Sequence, residues 1–364
     1  MKGRVVSMTG IEQVQIKEFD LPEPEKGEIL MEVIKSNICG SDVHMWEGKH
    51  IFKNHVLGHE MVGRVYKLGE GVTTDYAGEK VKEGDRICPV YYLTCLKCKA
   101  CLEGNFNVCT HGSDFQGQLA DKYPHFTGSF ATHYVIHPNQ YFYKVPENIP
   151  DNVVAGANCG IAQMLYALES INIRINDYIV VQGMGGLGLF TAAICDIKGA
   201  NVIAIDSVDD RLREAKAFGA KHVIDMKKFV TKEARYDEIL KITGEKGPDI
   251  VVDVSGFPAA FDEAVRMCKI GGTVLEIGNV SVDESMNTTV VPGQIVRKCL
   301  TVKGILRYPP IYLYKTLKFL ENYHDKYPFN SLTDQCYSLD EAQTALQKSA
   351  RKEVKRAIIE PNKK

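Results

Sequence analysis

The chain has 364 residues, 45% of them apolar and 25% charged. Because single cores stop growing near roughly 250–300 residues, that length is enough for two domains. A formal net charge of −2, with Lys and Arg scattered rather than blocked, leaves no basic surplus for a phosphate backbone, so nucleic acid is not an expected partner. Charges interrupt the apolar runs, beginning with MKGRVVSMTGIEQVQIKEF at the N-terminus, so neither a signal peptide nor a span of about 20 apolar residues is expected, and the cytoplasm is the expected compartment. Eleven cysteines in such a chain read as thiols or metal ligands, since the cytosol keeps thiols reduced.

The first 159 residues carry Val- and Ile-rich segments (GEILMEVIKS, MVGRVYKLG, GDRICPV, FATHYVI) separated by Gly, Pro and Asp turns, which predicts antiparallel β structure. Within this region NICGSDVHMWEG holds Cys39, Ser41, Asp42 and His44, and 20 residues past Cys39 VLGHEMVGRV holds His59 and Glu60. Cysteine with histidine favours zinc, and three protein ligands with one open position is the catalytic arrangement. The best third ligand is Cys159 in GANCGIAQ, a Gly-flanked stretch just before the helix-like IAQMLYALESI. Further along lies CLKCKACLEGNFNVC, where Cys95, Cys98, Cys101 and Cys109 have the spacing of a closed tetrahedral zinc site that pins a lobe of about residues 88–112; an iron–sulfur cluster is the alternative this spacing leaves open. Cys88, Cys195, Cys268, Cys299 and Cys336 read as core or surface thiols.

A boundary near 155–162 separates this region from an alternating one. The stretch from Asp177 to Ala220 predicts a strand (Ile179–Val181), a glycine turn, a helix (Leu187–Lys198), a second strand (Asn201–Ile205) and another helix from about Asp210. Gly183, Gly185 and Gly188 fit G-x-G-x-x-G in the required strand-to-helix context, so the loop Gly183, Met184, Gly185, Gly186, Leu187, Gly188 is a candidate pyrophosphate cradle at a helix N-terminus. Asp206 follows 23 residues after Gly183, at the end of the second strand. A carboxylate there accepts hydrogen bonds from the adenosine ribose and repels a 2′-phosphate, which favours NAD over NADP, while the nearby Arg211 could tolerate a phosphate. GPDIVVDVSG, GGTVLEIG and LTVKGIL read as further buried strands, with AAFDEAVRMC as a helix between the first two, completing a doubly wound α/β sheet over 160–303. The C-terminal LDEAQTALQKSARKEVKRAIIEP predicts a helix and then a strand that folds back on the first domain.

From CGSDVH through GHEMVGRV, CLKCKACLEGNFNVC and NCGIAQ to GMGGLG, the whole chain resembles the zinc-dependent alcohol dehydrogenases of the medium-chain dehydrogenase/reductase superfamily, which include polyol and threonine dehydrogenases. The resemblance implies a GroES-like β-rich catalytic domain (1–159 and 304–364), a Rossmann NAD-binding domain (160–303), a cleft between them, and a homodimer or homotetramer. It implies two zinc ions per subunit: a catalytic one on Cys39, His59 and Cys159, with Glu60 a ligand in some members, and a structural one on Cys95, Cys98, Cys101 and Cys109. Asp42 resembles the carboxylate that orients the ligand histidine, Ser41 and His44 a relay for the alcohol proton, and Arg356 a basic residue supporting the pyrophosphate. The implied activity is hydride transfer between an alcohol or polyol and NAD, with a zinc lyase or isomerase, or an NADP-preferring reductase, as alternatives. Polyol dehydrogenases commonly place a glutamate near the position of Cys159, so this ligand set is closer to the simple alcohol dehydrogenases. The segments 73–87 and 110–128 depart from the family pattern, and Trp46 and Tyr91 align near pocket walls.

Overall fold

A computed structural model describes residues 1–49, 55–114, 118–280 and 284–363, so residues 115–117 of the unusual 110–128 segment lie outside the described residues. The chain divides into two compact units, Met1–Ala162 with Pro309–Lys364, and Gln163–Tyr308. Along the chain the strands are β1 (Lys2–Gly10), β2 (Gln13–Asp20), β3 (Ile29–Asn37), β4 (Glu60–Leu68), β5 (Arg86–Pro89), β6 (His133–Ile136) and β7 (Phe142–Lys144). The second unit contributes β8 (Tyr178–Gln182), β9 (Asn201–Asp206), β10 (His222–Asp225), β11 (Ile250–Asp253), β12 (Thr273–Glu276) and β13 (Thr301–Gly304). The chain then returns to the first unit for β14 (Gln335–Ser338) and β15 (Ala357–Glu360).

The first unit is β-rich and mostly antiparallel, as its Val- and Ile-rich segments predict. Strands β1 and β2 form a hairpin, and a seven-stranded sheet runs β14-β15-β3-β4-β5-β7, with β6 paired to β3. The C-terminal segment folds back as expected: the helix Ala342–Ala350 precedes β15, which pairs antiparallel with β3. This register matters for the site, because Ile358 stands opposite Asn37, and Asn37 stands opposite Glu60 on β4. Residues from the early strands β3 and β4 and from the last strand, β15, are thereby brought together in the sheet. Apolar clusters around Met31, Ile87 and Phe126, and around Met8, Phe130 and Ile359, hold the sheet in place. Trp46, expected at a pocket wall, is 3% exposed and belongs to the second of these clusters, where the helix Gly40–Trp46 turns its apolar side inward.

The second unit is a doubly wound α/β fold. Its six parallel strands run β10-β9-β8-β11-β12-β13, and the central Ile179, Val180, Val181, Val251 and Val252 are fully buried, as apolar runs covered on both faces require. The strand order reverses between β8 and β11, and ligands of such sheets bind outside the carboxyl ends of the strands at that point.

One feature of these strand ends has no signal in the sequence pattern. Asp253 and Glu276 are register partners at the ends of β11 and β12. Ser255 donates to Asp253 through both its N–H and its hydroxyl, and Asn279 Nδ2 donates to Glu276 Oε1 at 3.0 Å. Burial raises both carboxyls, and the neighbouring Asp253 charge helps push Glu276 up to about 7. The native state then holds a proton that the unfolded chain releases near 4.5, so the stabilising contribution is complete below that value and lost as pH rises to about 7. Glu276→Gln, which needs no proton, should therefore gain about 1–2 kcal/mol on wild type between about pH 5 and pH 8, discounted for partial exposure. Paired thermal melts across that range check it; parallel pH profiles would contradict it.

Candidate active site

The helix Gly40–Trp46 begins just after β3, and its first turn organises the site. Asp42 is fully buried there, and both of its oxygens are used. Oδ2 accepts the Cys39 N–H at 2.9 Å, while Oδ1 accepts the Gly58 N–H at 3.3 Å and lies 3.1 Å from His59 Nδ1. One carboxylate thus fixes the Cys39 backbone and the His59 ring together. With Nδ1 facing that carboxylate, Nε2 is the ring atom turned toward Cys39, on the side where a metal would be ligated. Gly58 has φ +90°, and a Cβ there would sit 2.4 Å from the Phe130 ring and 2.6 Å from Ser129 Oγ. Only glycine lets the chain turn this tightly into β4 and deliver His59 to Asp42.

Cys159 arrives from a π-helical turn, Ala157–Ile161, which runs into the helix Ala162–Glu169 where the sequence predicts one. Cys39, His59, Glu60 and Cys159 each offer a donor atom, and these atoms all lie within 4.8 Å of one another. Their charges are strongly interdependent. A hydrogen bond from Cys159 holds the Cys39 thiol far below its usual range against the effect of burial, and the same bond drives Cys159 well up. Burial pushes His59 down, but the Asp42 charge and hydrogen bond outweigh it and raise the imidazole well above its usual value. Burial pushes Glu60 up to about 8, against the pull of Arg356. The Arg356 guanidinium meets both Glu60 oxygens, so the last strand supplies a counter-charge to the carboxylate beside the cysteines. Two soft sulfurs, one imidazole and a carboxylate form a donor set suited to zinc.

Ser41 and His44 lie one turn apart on the helix Gly40–Trp46; Ser41 is half-buried and His44 exposed, with no hydrogen bond between them among the described residues. Tyr91 stands beside the group, its ring 5.3 Å from that of His59. Asn158, which the sequence reading passes over, is fully buried and donates to the His59 carbonyl at 2.9 Å. Its only signal in the sequence is a polar residue next to Cys159 in an otherwise small and apolar stretch.

Cys95, Cys98, Cys101 and Cys109 form a second group whose sulfurs all lie within 4.8 Å. The Cys98 N–H donates to Cys95 Sγ at 3.2 Å and the Cys95 N–H to Cys109 Sγ at 3.4 Å, so the backbone is already turned toward the sulfurs. Backbone N–H groups of Cys101 and Thr110 bring the Cys98 thiol down to about 6, while burial and the neighbouring Cys109 push Cys101 up to about 12. Four sulfurs with this surround fit a closed metal site. Of the remaining cysteines, Cys88, Cys195 and Cys268 are buried and Cys299 and Cys336 exposed.

In the second unit the glycine loop joins β8 to the helix Gly186–Ile197. Gly183 has φ +90° and packs against Ser255, and a Cβ on Gly188 would fall 2.0 Å from the Gly183 carbonyl, so both are held by close backbone approach. Gly185 faces open space, with nothing within 4 Å of a built Cβ. Asp206 closes the end of β9: Oδ2 accepts the Met184 N–H at 2.7 Å, and Oδ1 accepts the N–H groups of Ser207 and Val208 at 2.7 and 2.9 Å. Arg211 stands 3.6 Å from Asp206 Oδ2.

Residues 25–147 match the alcohol dehydrogenase GroES-like domain family, and residues 186–322 match the zinc-binding dehydrogenase family. The chain is 33% identical to an alcohol dehydrogenase of Moraxella sp. over 81% of its own length and 85% of the relative's. It is 29% identical to 5-exo-hydroxycamphor dehydrogenase of Pseudomonas putida over 93% of both chains. The crystal structure of an alcohol dehydrogenase from Thermotoga maritima superposes with a TM-score of 0.93 over 100% of both chains, at 28% identity.

Proposed function

The chain belongs to the zinc-dependent alcohol dehydrogenases of the medium-chain dehydrogenase/reductase superfamily, and from that premise we propose that it moves hydride reversibly between the CH–OH carbon of an alcohol or polyol and NAD. The observation that carries this reading is the convergence of Cys39, His59 and Cys159, from three distant segments, in a unit separate from the glycine loop and Asp206. Cys39, His59 and Cys159 would hold the catalytic zinc, whose Lewis acidity lowers the pKa of the alcohol, and Cys95, Cys98, Cys101 and Cys109 would hold a second, structural one. NAD supplies the hydride acceptor.

The protein's own residues do the rest. Asp42 holds His59 in one tautomer and the Cys39 backbone in place. Arg356 restrains Glu60 beside the ligands, which keeps an otherwise uncompensated buried carboxylate at the site. Ser41 and the exposed His44 lead the alcohol proton toward solvent along the helix Gly40–Trp46. Tyr91 narrows the space next to His59. In the other unit, the free N–H groups at the start of the helix Gly186–Ile197 receive the pyrophosphate, and Asp206 accepts the ribose hydroxyls and repels a 2′-phosphate. Among the described residues β13 is an edge strand of its sheet, with Val302 39% exposed, which favours assembly into a homo-oligomer. No helix of the described residues is long and apolar enough to cross a membrane.

A panel of primary alcohols, secondary alcohols, polyols and hydroxyamino acids, assayed with NAD and with NADP by the absorbance of the reduced nicotinamide, tests the reading. NADH production with at least one class is expected; substrate turnover without net NADH would instead indicate a lyase or isomerase. Asp42→Asn should lower zinc retention at the catalytic site by about 10–100-fold, because an amide can donate to Nδ1 and release the tautomer. Chelator competition measures this, and wild-type retention would contradict the role given to Asp42.

A further inference from the structure

We propose that Asn158 is a positioning residue that sets where Cys159 stands relative to His59, and through this how firmly the catalytic metal is retained. The proposal rests on Cys39, His59 and Cys159 being the metal ligands. His59 and Cys159 lie in segments that share no strand pairing, so something other than the sheet ladder must register one against the other. Asn158 does this. Its side-chain amide donates one N–H to the His59 carbonyl and the other to the Pro89 carbonyl at the end of β5, both at 2.9 Å. Its backbone N–H donates to Cys88 Sγ, and the Cys88 thiol donates onward to the Met61 carbonyl at 3.2 Å.

The carbonyls on either side of Glu60 are thus both tied, directly or through Cys88, to the residue immediately before Cys159. Both Asn158 and Cys88 are fully buried, so no water replaces these bonds when they are lost. The π-helical turn Ala157–Ile161 makes the tether consequential. A turn with one residue more than an α-helical turn can relax by re-registering, and such relaxation would carry the Cys159 sulfur away from the group. The amide fixes the register because its two donors engage at once the carbonyl just before β4 and the carbonyl at the end of β5. Pro89 leads to Tyr91 beside His59, so the same residue also steadies the aromatic wall.

The test uses the zinc-loaded enzyme and Asn158→Ala, with Asn158→Ser as the variant that keeps a single hydroxyl donor. The rate at which a chelator removes each zinc ion is followed, together with the thiolate-to-cobalt absorption of the cobalt-substituted protein. In Asn158→Ala one zinc should leave about 10–100-fold faster while the four-cysteine zinc leaves at the wild-type rate, and the cobalt band should shift. Asn158→Ser should fall between the two. Unchanged release and an unchanged cobalt band overturn the proposal, even where the melting temperature drops, because the residue would then serve the fold alone. If Asn158→Ala does not fold, the serine variant decides by the same two readouts. Cys39→Ser, run in parallel, separates the two levels: a full zinc complement in that variant defeats the ligand assignment itself, whatever Asn158 does.

Discussion

Cys39→Ser should lower turnover by at least about 10³-fold while leaving NADH affinity nearly unchanged. The sulfur belongs to a group whose donor atoms all lie within 4.8 Å, and it is the thiol held furthest toward the thiolate in that group. A serine hydroxyl is a harder and far less acidic donor, so the metal is lost or misplaced. The stabilisation of developing negative charge that a bound cation provides is several kcal/mol, and about 4 kcal/mol corresponds to the stated factor. The glycine loop and Asp206 lie in the other compact unit, which is why cofactor binding should survive. Steady-state kinetics and NADH fluorescence titration check the two halves separately. An active variant would refute the metal assignment, and lost NADH binding would show that the change acts beyond the site.

Asp206→Gly should shift the cofactor preference toward NADP by about 10²-fold or more. Charge-assisted hydrogen bonds to the ribose hydroxyls are worth about 1.5–3 kcal/mol, and removing the anion also removes its repulsion of a 2′-phosphate. Arg211, now 3.6 Å from the carboxylate, would be released to meet that phosphate, so the double variant with Arg211→Ala should gain less NADP use. The geometry adds a qualification that pattern reading does not supply. Asp206 also accepts three backbone N–H groups, from Met184, Ser207 and Val208, so the glycine variant should lose affinity for both cofactors through the loosened loop. The preference is read from the ratio of kcat/KM for NAD and NADP; an unchanged ratio would count against the ribose contact.

What was legible in the sequence is what the chemistry demands locally. The glycine loop needs a strand, a tight turn and a helix in immediate succession, and the helix found at Gly186–Ile197 begins within a residue of the one predicted. The four-cysteine group lies within fifteen residues, so its spacing alone gathers the sulfurs in the reading, as the structure does in space. Val- and Ile-rich segments bounded by Gly, Pro and Asp turns likewise announce β3 to β6, and the doubly wound sheet follows from apolar runs alternating with helices. Contacts set by sheet register were not legible. Arg356 and Glu60 are 296 residues apart and meet only because β15 pairs with β3, which pairs with β4. The expected place for Arg356, beside the pyrophosphate, came from resemblance, whereas the structure shows its guanidinium on Glu60. Asn158 and His59 are 99 residues apart and joined by a side-chain amide, an interaction with no periodicity to betray it. The Asp253–Glu276 pair similarly arises from parallel register, since nothing in GPDIVVDVSG or GGTVLEIG says which residues will face one another.

Zinc-edge X-ray absorption and anomalous diffraction on the wild-type protein and on Cys39→Ser address the central claim most directly. Two zinc centres are predicted for the wild type, one with four sulfurs from residues 95–109 and one with two sulfurs and a histidine nitrogen from Cys39, Cys159 and His59. The variant should keep the first and lose the second. A wild-type protein with zinc in the four-sulfur group alone, or a variant that retains both ions, would contradict the account.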